Sequence, residues 1–245
     1  MATKRLRIFA GPNGSGKSTL VKHVTEQFNL HYGFFVNADE IERAIREDGF
    51  FDAFDTGIVL DTNDLQQFLL QSSFDRSRTF PAFSVDQNRL VLAGEDFNSY
   101  HAALFAEFLR TRMMENGISF STETVMSARQ KLDMMQYAKS LGYRVYLYFV
   151  ATESPLINQV RVQNRVKLGG HNVPVEKIHH RYFRSLEILY DAIKISDRAF
   201  LFDNTEMLTW VAEVTNGHEL MLYTEEVPGW FVEYIERKIL ERGGG

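Results

Sequence analysis

Three glycines and a lysine within nine residues constrain this chain more than anything else in it. Gly11-Pro12-Asn13-Gly14-Ser15-Gly16-Lys17-Ser18-Thr19 fits G-x-x-x-x-G-K-S/T. The loop follows an apolar run, Leu6–Ala10, and opens a helical stretch, which is the strand–loop–helix setting the motif needs. The glycines let consecutive backbone N–H groups curl into a nest for phosphate oxygens, and the following helix adds its positive end. Lys17 then supplies a mobile charge to the β- and γ-phosphates, and the Ser18 hydroxyl a place on Mg²⁺. By composition alone such a string arises in roughly one chain of this length per hundred. The bland alternative is a glycine-rich turn with a surface lysine. The motif and its context point instead to a nucleoside-triphosphate site, with Ser18 placed for Mg²⁺.

A strand feeding a phosphate loop implies an α/β fold, and the remaining pattern agrees. Apolar runs at Phe34–Asn37, Ile118–Thr122, Arg144–Val150 and Ala199–Asp203 alternate with amphipathic stretches, as buried parallel strands alternate with crossover helices. Several helix ends are readable. Asn98 or Ser99 caps a helix ending at Gly117, Ser127 caps one ending at Gly142, and Ser154-Pro155 starts one stopped by Gly169-Gly170. Another begins near Pro174. Residues 49–97 hold no long periodic segment yet carry eight of the 20 phenylalanines, so a folded insert is expected there. Near the C-terminus, Val211–Val214 and Glu219–Tyr223 flank an Asn216-Gly217 turn, a strong hairpin signal, and Pro228–Leu240 reads as a closing helix. The expected division is a kinase-like domain over 1–210, with a lid at about 155–185, and a hairpin-plus-helix appendage over 211–245.

Composition removes other classes. The absence of cysteine excludes a disulfide framework and thiolate chemistry. A net charge of −5 over 245 residues gives no footprint for duplex nucleic acid. No apolar run is long enough to span a membrane, and the first residues do not read as a secretory signal. A cytoplasmic protein is expected.

In open α/β sheets ligands sit beyond the carboxyl ends of the strands, and functional groups stand at each of those ends. Asn37-Ala38-Asp39-Glu40 follows the second strand. Asp39 is suited to accept an acceptor hydroxyl's proton, although an aspartate at that junction also serves as a helix N-cap. Glu123, followed by Thr124, ends the third strand. A carboxylate there needs a partner, either Mg²⁺-bound water, an acceptor hydroxyl or an arginine. Asp203-Asn204 ends the fifth. Arg161 and Arg165 share one helix face, and Arg181 and Arg184 form a second pair beyond a Gly-rich connection. Helix–loop–helix with paired arginines is what a phosphoryl-transfer lid requires, and it is also what a solvated basic face looks like.

The loop string resembles transporter-type ABC ATPases, but no LSGGQ-like string is present and Asp203 is followed by Asn204 rather than glutamate. Val36-Asn37-Ala38-Asp39-Glu40-Ile41, Ser121-Thr122-Glu123-Thr124, the stretch Arg161–Pro174 with its Gly169-Gly170-His171-Asn172-Val173-Pro174, and Arg181-Tyr182-Phe183-Arg184 together resemble the zeta-toxin family of P-loop kinases over about residues 5–205. The Gly-Gly-His segment is most similar to the chromosomal branch. The resemblance implies a parallel five-stranded sheet of order 2-3-1-4-5 flanked by helices, and ATP-dependent phosphorylation of a hydroxyl, for zeta toxins the 3′-hydroxyl of UDP-N-acetylglucosamine. It matches Lys17 and Ser18 to the phosphate and metal positions, Asp39 to the general base, Glu123 to a third-strand carboxylate and Arg161 or Arg165 to a lid arginine. Asp203-Asn204 matches a segment near the adenine, and Asn37, Thr124 and His171 fall on the acceptor side. His171 stands where plasmid-borne members carry a second lid arginine, and a mostly neutral histidine would neutralise less phosphate charge. The insert 49–97 occupies the acceptor-pocket stretch. An antitoxin partner is implied as well. A polynucleotide 5′-hydroxyl kinase shares the fold and base, but it needs a basic channel that the net charge does not provide.

Overall fold

The computed structural model describes residues 3–28, 32–72, 80–93, 96–169 and 172–239. In chain order the first elements are β1 (Arg5–Ala10), α1 (Lys17–Phe28), β2 (Phe34–Val36), α2 (Ala38–Asp48), β3 (Phe50–Asp52), α3 (Thr62–Gln71), β4 (Ala82–Asp86) and β5 (Arg89–Ala93). Next come α4 (Ser99–Glu115), β6 (Phe120–Thr124), α5 (Gln130–Ser140), β7 (Arg144–Ala151), α6 (Pro155–Lys167) and α7 (Val175–Ile195). The last strands are β8 (Arg198–Asp203), β9 (Thr209–Thr215) and β10 (Glu219–Leu222). Two compact units result, one of residues 1–32 with 121–245 and one of residues 33–120.

In the larger unit the strands lie in the order β10-β9-β8-β7-β1-β6. β1 pairs with β7 and β7 with β8 in parallel, whereas β9 runs antiparallel to β8 and β10 antiparallel to β9. The sheet is therefore mixed, not purely parallel, and the C-terminal hairpin continues it. Asn216 and Gly217 take φ of 52° and 77° at the hairpin turn, the left-handed pair a tight two-residue loop demands. Leu6, Ile8 and Ala10 of β1 and Val145, Leu147 and Phe149 of β7 are fully buried. They alternate with Phe9 and Tyr148, whose rings stack at 4.9 Å on the face where Val24 of α1 also packs. Trp230 lies in a helical turn, Gly229–Phe231, that runs into a π-helical stretch, Val232–Glu236, in place of the regular helix expected over 228–240. Its ring is buried 6.2 Å from Phe149. Leu240 lies outside the described residues.

The smaller unit shows that the phenylalanine-rich insert is folded. β3, β5 and β4 form an antiparallel sheet, and α3 adds a ten-residue helix where no long periodic segment was expected, capped by Asp61. Phe51 packs edge-on against Phe105 of α4 at 5.4 Å, and Phe68 of α3 against Phe108 at 5.5 Å. Phe74 lies outside the described residues. Among the described residues no helix is long and apolar enough to cross a membrane.

Helix starts follow the expected chemistry with two exceptions. Asn98 accepts from the Tyr100 N–H and Ser154 from the Leu156 N–H. Ser127 caps nothing: α5 begins only at Gln130, because the chain first turns at Met126, which takes φ 53°. Asp39 is not the cap of its helix either; Asn37 is, accepting the Asp39 N–H at 2.9 Å.

Burial also sets an alkaline limit. Tyr143, 3% exposed at the foot of β7, has its phenol pushed up to about 12 by burial, and Tyr148 and Tyr182 are raised for the same reason. An unfolded tyrosine ionises near about 10. Between those values the unfolded chain releases protons that the folded chain keeps, so stability falls as pH rises through that window. The urea midpoint is expected to drop between about pH 9 and about pH 11, and Tyr143→Phe to flatten that slope. A midpoint constant over the same range would contradict the assignment.

Candidate functional site

The phosphate loop leaves β1 through Gly11, whose N–H donates to the Thr124 carbonyl at the end of β6 at 3.3 Å. Gly14 and Gly16 take φ of 80° and 100°, a region closed to most side chains. Space also requires them. A Cβ at Gly14 would lie 2.5 Å from the Asn158 carbonyl of α6, and one at Gly16 would strike the Asn204 side-chain amide. The loop is thus pressed between the first turn of α6 and the segment after β8. Its hinge is closed by the Ser15 N–H bond to the Pro12 carbonyl at 3.2 Å. Helix α1 then begins at Lys17 with no acidic residue in its first turn, which leaves its positive end uncompensated for an anion.

Around that end lies a cleft of about 320 Å³, lined by Gly14, Gly16, Lys17, Ser18, Thr19, Glu123, Arg161, Val162, Arg165 and Asn204. Lys17 is mostly buried, with Nζ 3.3 Å from the Pro12 carbonyl and 3.8 Å from Glu123 Oε1. The loop lysine is thus one cation beside Glu123. Ser18 and Thr19 are exposed at the mouth.

The two arginines of α6 behave differently. Arg161 donates Nη1 to the Asn204 carbonyl at 2.7 Å and Nη2 to the Thr205 carbonyl at 3.0 Å. Both ends of its fork hold the loop after β8. Asn204 in turn donates Nδ2 to the Ser15 carbonyl at 2.8 Å, so that loop braces the phosphate nest. Arg165 lines the cleft one turn further along. From α7, Arg181 reaches Asn13 Oδ1 at 3.3 Å, and Arg184 is exposed.

Asp203 accepts from the Thr205 N–H and hydroxyl at 2.8 and 3.0 Å and from Trp230 Nε1 at 2.8 Å. Its carboxylate ties strand to turn. Thr124 uses its hydroxyl on the Met126 N–H at 3.1 Å. Asn37 and Asp39 belong to the smaller unit, where Asp39 is exposed in the first turn of α2. His171 lies outside the described residues.

No local pattern marks the buried polar brace under the loop. Thr152 Oγ1 donates to Asn158 Oδ1 at 2.6 Å, and the Tyr182 hydroxyl to the Thr152 carbonyl at 2.6 Å. Asn158 and Thr152 are fully buried. An asparagine on an amphipathic helix reads as a solvent position, and only the close approach of Gly14 distinguishes it.

Comparison with known proteins bears on the family and the fold. A family model described as Zeta toxin matches residues 79–217, more than half of the chain. A Haemophilus influenzae protein described only as uncharacterized is 32% identical over 65 residues, which cover 26% of this chain. The matched part is 46% of that relative, so the chain spans under half the length of the curated protein it matches. Among solved structures, one from work on the PezAT chromosomal toxin–antitoxin system of Streptococcus pneumoniae is 13% identical with a TM-score of 0.51, over 100% of this chain and 86% of that one. Another, AvrRxo1-ORF1:-ORF2 with ATP, is 14% identical with a TM-score of 0.54, over 97% of this chain and 64% of that one. At such identities these two show a shared fold.

Proposed function

The chain belongs to the zeta toxin family, and on that premise we infer that it is a kinase, moving the terminal phosphoryl group of ATP onto a hydroxyl of a small molecule. The observation that supports this most is the content of the cleft. An ammonium and a hydroxyl from the start of α1, a carboxylate from β6 and a guanidinium from α6 line one space at the open end of a backbone nest. Asp39 is assigned as the base that receives the acceptor hydroxyl's proton.

In this proposal Lys17 and the α1 terminus hold the phosphates, and Arg165 meets charge on the migrating group. Arg161 is a positioning residue, since both its Nη groups are spent on the carbonyls of Asn204 and Thr205. Asp39 takes the proton of the acceptor hydroxyl as its oxygen bonds to the γ-phosphorus and the bond to the β-phosphate bridging oxygen breaks, releasing ADP. Ser18 and Glu123 present hard oxygen donors to the same cleft, a set that fits Mg²⁺. Among the described residues no group of three or more histidines, aspartates and glutamates stands together to hold a metal. Bound there, Mg²⁺ would neutralise charge on the β- and γ-oxygens.

The finer assignments come from the family: UDP-N-acetylglucosamine or a related nucleotide sugar as acceptor, with Asn37, Thr124 and His171 on its side, and Asp203-Asn204 near the adenine. A sheet order of 2-3-1-4-5, an antitoxin partner and a cytoplasmic location belong to the same proposal. Incubation with γ-labelled ATP and a metabolite extract tests it, with mass identification of what gains a phosphate. A phosphorylated small molecule that appears only with the protein is the expected outcome. Label recovered solely as inorganic phosphate would overturn the proposal.

A further inference from the structure

On the sheet face shared with α1, rings from neighbouring strands stand on edge in a file. Phe9 and Tyr148 stack at 4.9 Å and 14°, and Tyr148 and Phe200 at 4.8 Å and 13°. Trp210 and Tyr223 form a second stacked pair at 3.8 Å. Between these two groups the file breaks: Phe200 and Trp210 are 6.1 Å apart and tilted by 52°. The break has a backbone cause. The β8–β9 register slips between Leu201 and Phe202, so that Trp210, and not Val211, lies opposite Phe202. A bulge of this kind re-aims a side chain. The result is a cavity of about 220 Å³ lined by Val24, Tyr148, Arg198, Phe200, Phe202 and Trp210. It shares no residue with the cleft at the phosphate loop.

Its one charged wall is prepared. Arg198 Nε donates to Glu213 Oε1 at 2.6 Å, and Glu213 is itself buried, with the Thr215 hydroxyl on the same oxygen at 3.2 Å. Among the described residues neither Nη group of Arg198 has a partner, while its guanidinium lies 4.9 Å from the Phe200 ring centroid. The side of the guanidinium is thereby anchored and the end fork left for a planar anion. Arg7, buried on the same face with its guanidinium 5.9 Å from the Tyr146 ring, leaves two cations against one carboxylate. The cavity is smaller than the roughly 300 Å³ at which drug-sized pockets begin, so it suits a single ring system.

We propose that this cavity binds a small aromatic carboxylate, its ring seated over the break between Phe200 and Trp210 and its carboxylate on the Arg198 fork. The full chain would be titrated with benzoate and with salicylate by calorimetry and by NMR of the Trp210 indole N–H. Saturable binding with a dissociation constant below about 1 mM is expected, with benzamide at least about tenfold weaker because it cannot pair with the fork. Arg198→Gln and Arg198→Lys should each weaken benzoate by about tenfold, and excess ATP should leave it bound. Two variants guard against misfolding, since Arg198→Lys keeps a charge beside buried Glu213. Absence of saturation, equal binding of benzamide, indifference to both substitutions or displacement by ATP would each overturn the proposal. So would capture of a peptide ending in phenylalanine where the free acids fail.

Discussion

Asp39→Ala protein is expected to bind ATP as tightly as the parent chain while phosphoryl transfer falls by about 10²–10⁴-fold, the range a positioned general base contributes. Local structure favours a clean result. Asn37 supplies the cap of α2 and bonds the backbone N–H of residue 39, which alanine retains. The removed carboxylate is exposed, so no buried partner is orphaned. Asp39→Asn would keep the shape and lose the base, and should fall as far as alanine. Equilibrium binding of a labelled nucleotide and acceptor phosphorylation would be read on the same preparation. Transfer at the parent rate by either variant would remove Asp39 from the chemistry.

Lys17→Ala should weaken nucleotide binding and transfer together, with transfer falling by at least about 10²–10³-fold, the cost of deleting one preorganised group that meets developing charge. Its ammonium is mostly buried between a carbonyl of its own loop and Glu123, so the substitution also leaves Glu123 facing a like-charged triphosphate. Lys17→Met retains the packing of the stem and separates lost charge from lost contact. Comparison of the two substitutions distinguishes binding from chemistry: Asp39→Ala should change the rate alone, Lys17→Ala both. Intact binding by Lys17→Ala would contradict the role given to the loop.

Much of this was legible because it is local. The loop is written in glycines that must take positive φ and in a lysine at a fixed offset. Asn98, Ser154-Pro155 and Asn216-Gly217 fix their turns within three residues of themselves. What escaped the sequence is non-local. The two carbonyls that Arg161 holds lie more than 40 residues away and leave no mark on its own helix. Asn158 looks like a surface amide until Gly14 lies on its backbone. No local pattern shows that the Asp203 carboxylate accepts from the Trp230 indole, 27 residues away. α3 was in fact legible, since Asp61 caps it and Leu65, Phe68 and Leu69 fall at spacings of three and four, but the signal spans little more than one turn and only Leu65 is buried. Serine at 127 failed as a cap since a left-handed residue at 126 spends the chain's next turn elsewhere.

The bond from Asn204 to the Ser15 carbonyl spans 189 positions. On a ribosome adding about 5–20 residues per second, the nest therefore emerges about 10 to 40 s before the residue that braces it. β7, the neighbour of β1 on one side, is made before that residue arrives. Throughout that interval the phosphate nest stands without the segment that holds it in shape, so the nucleotide cleft is among the last features of the chain to be completed during synthesis.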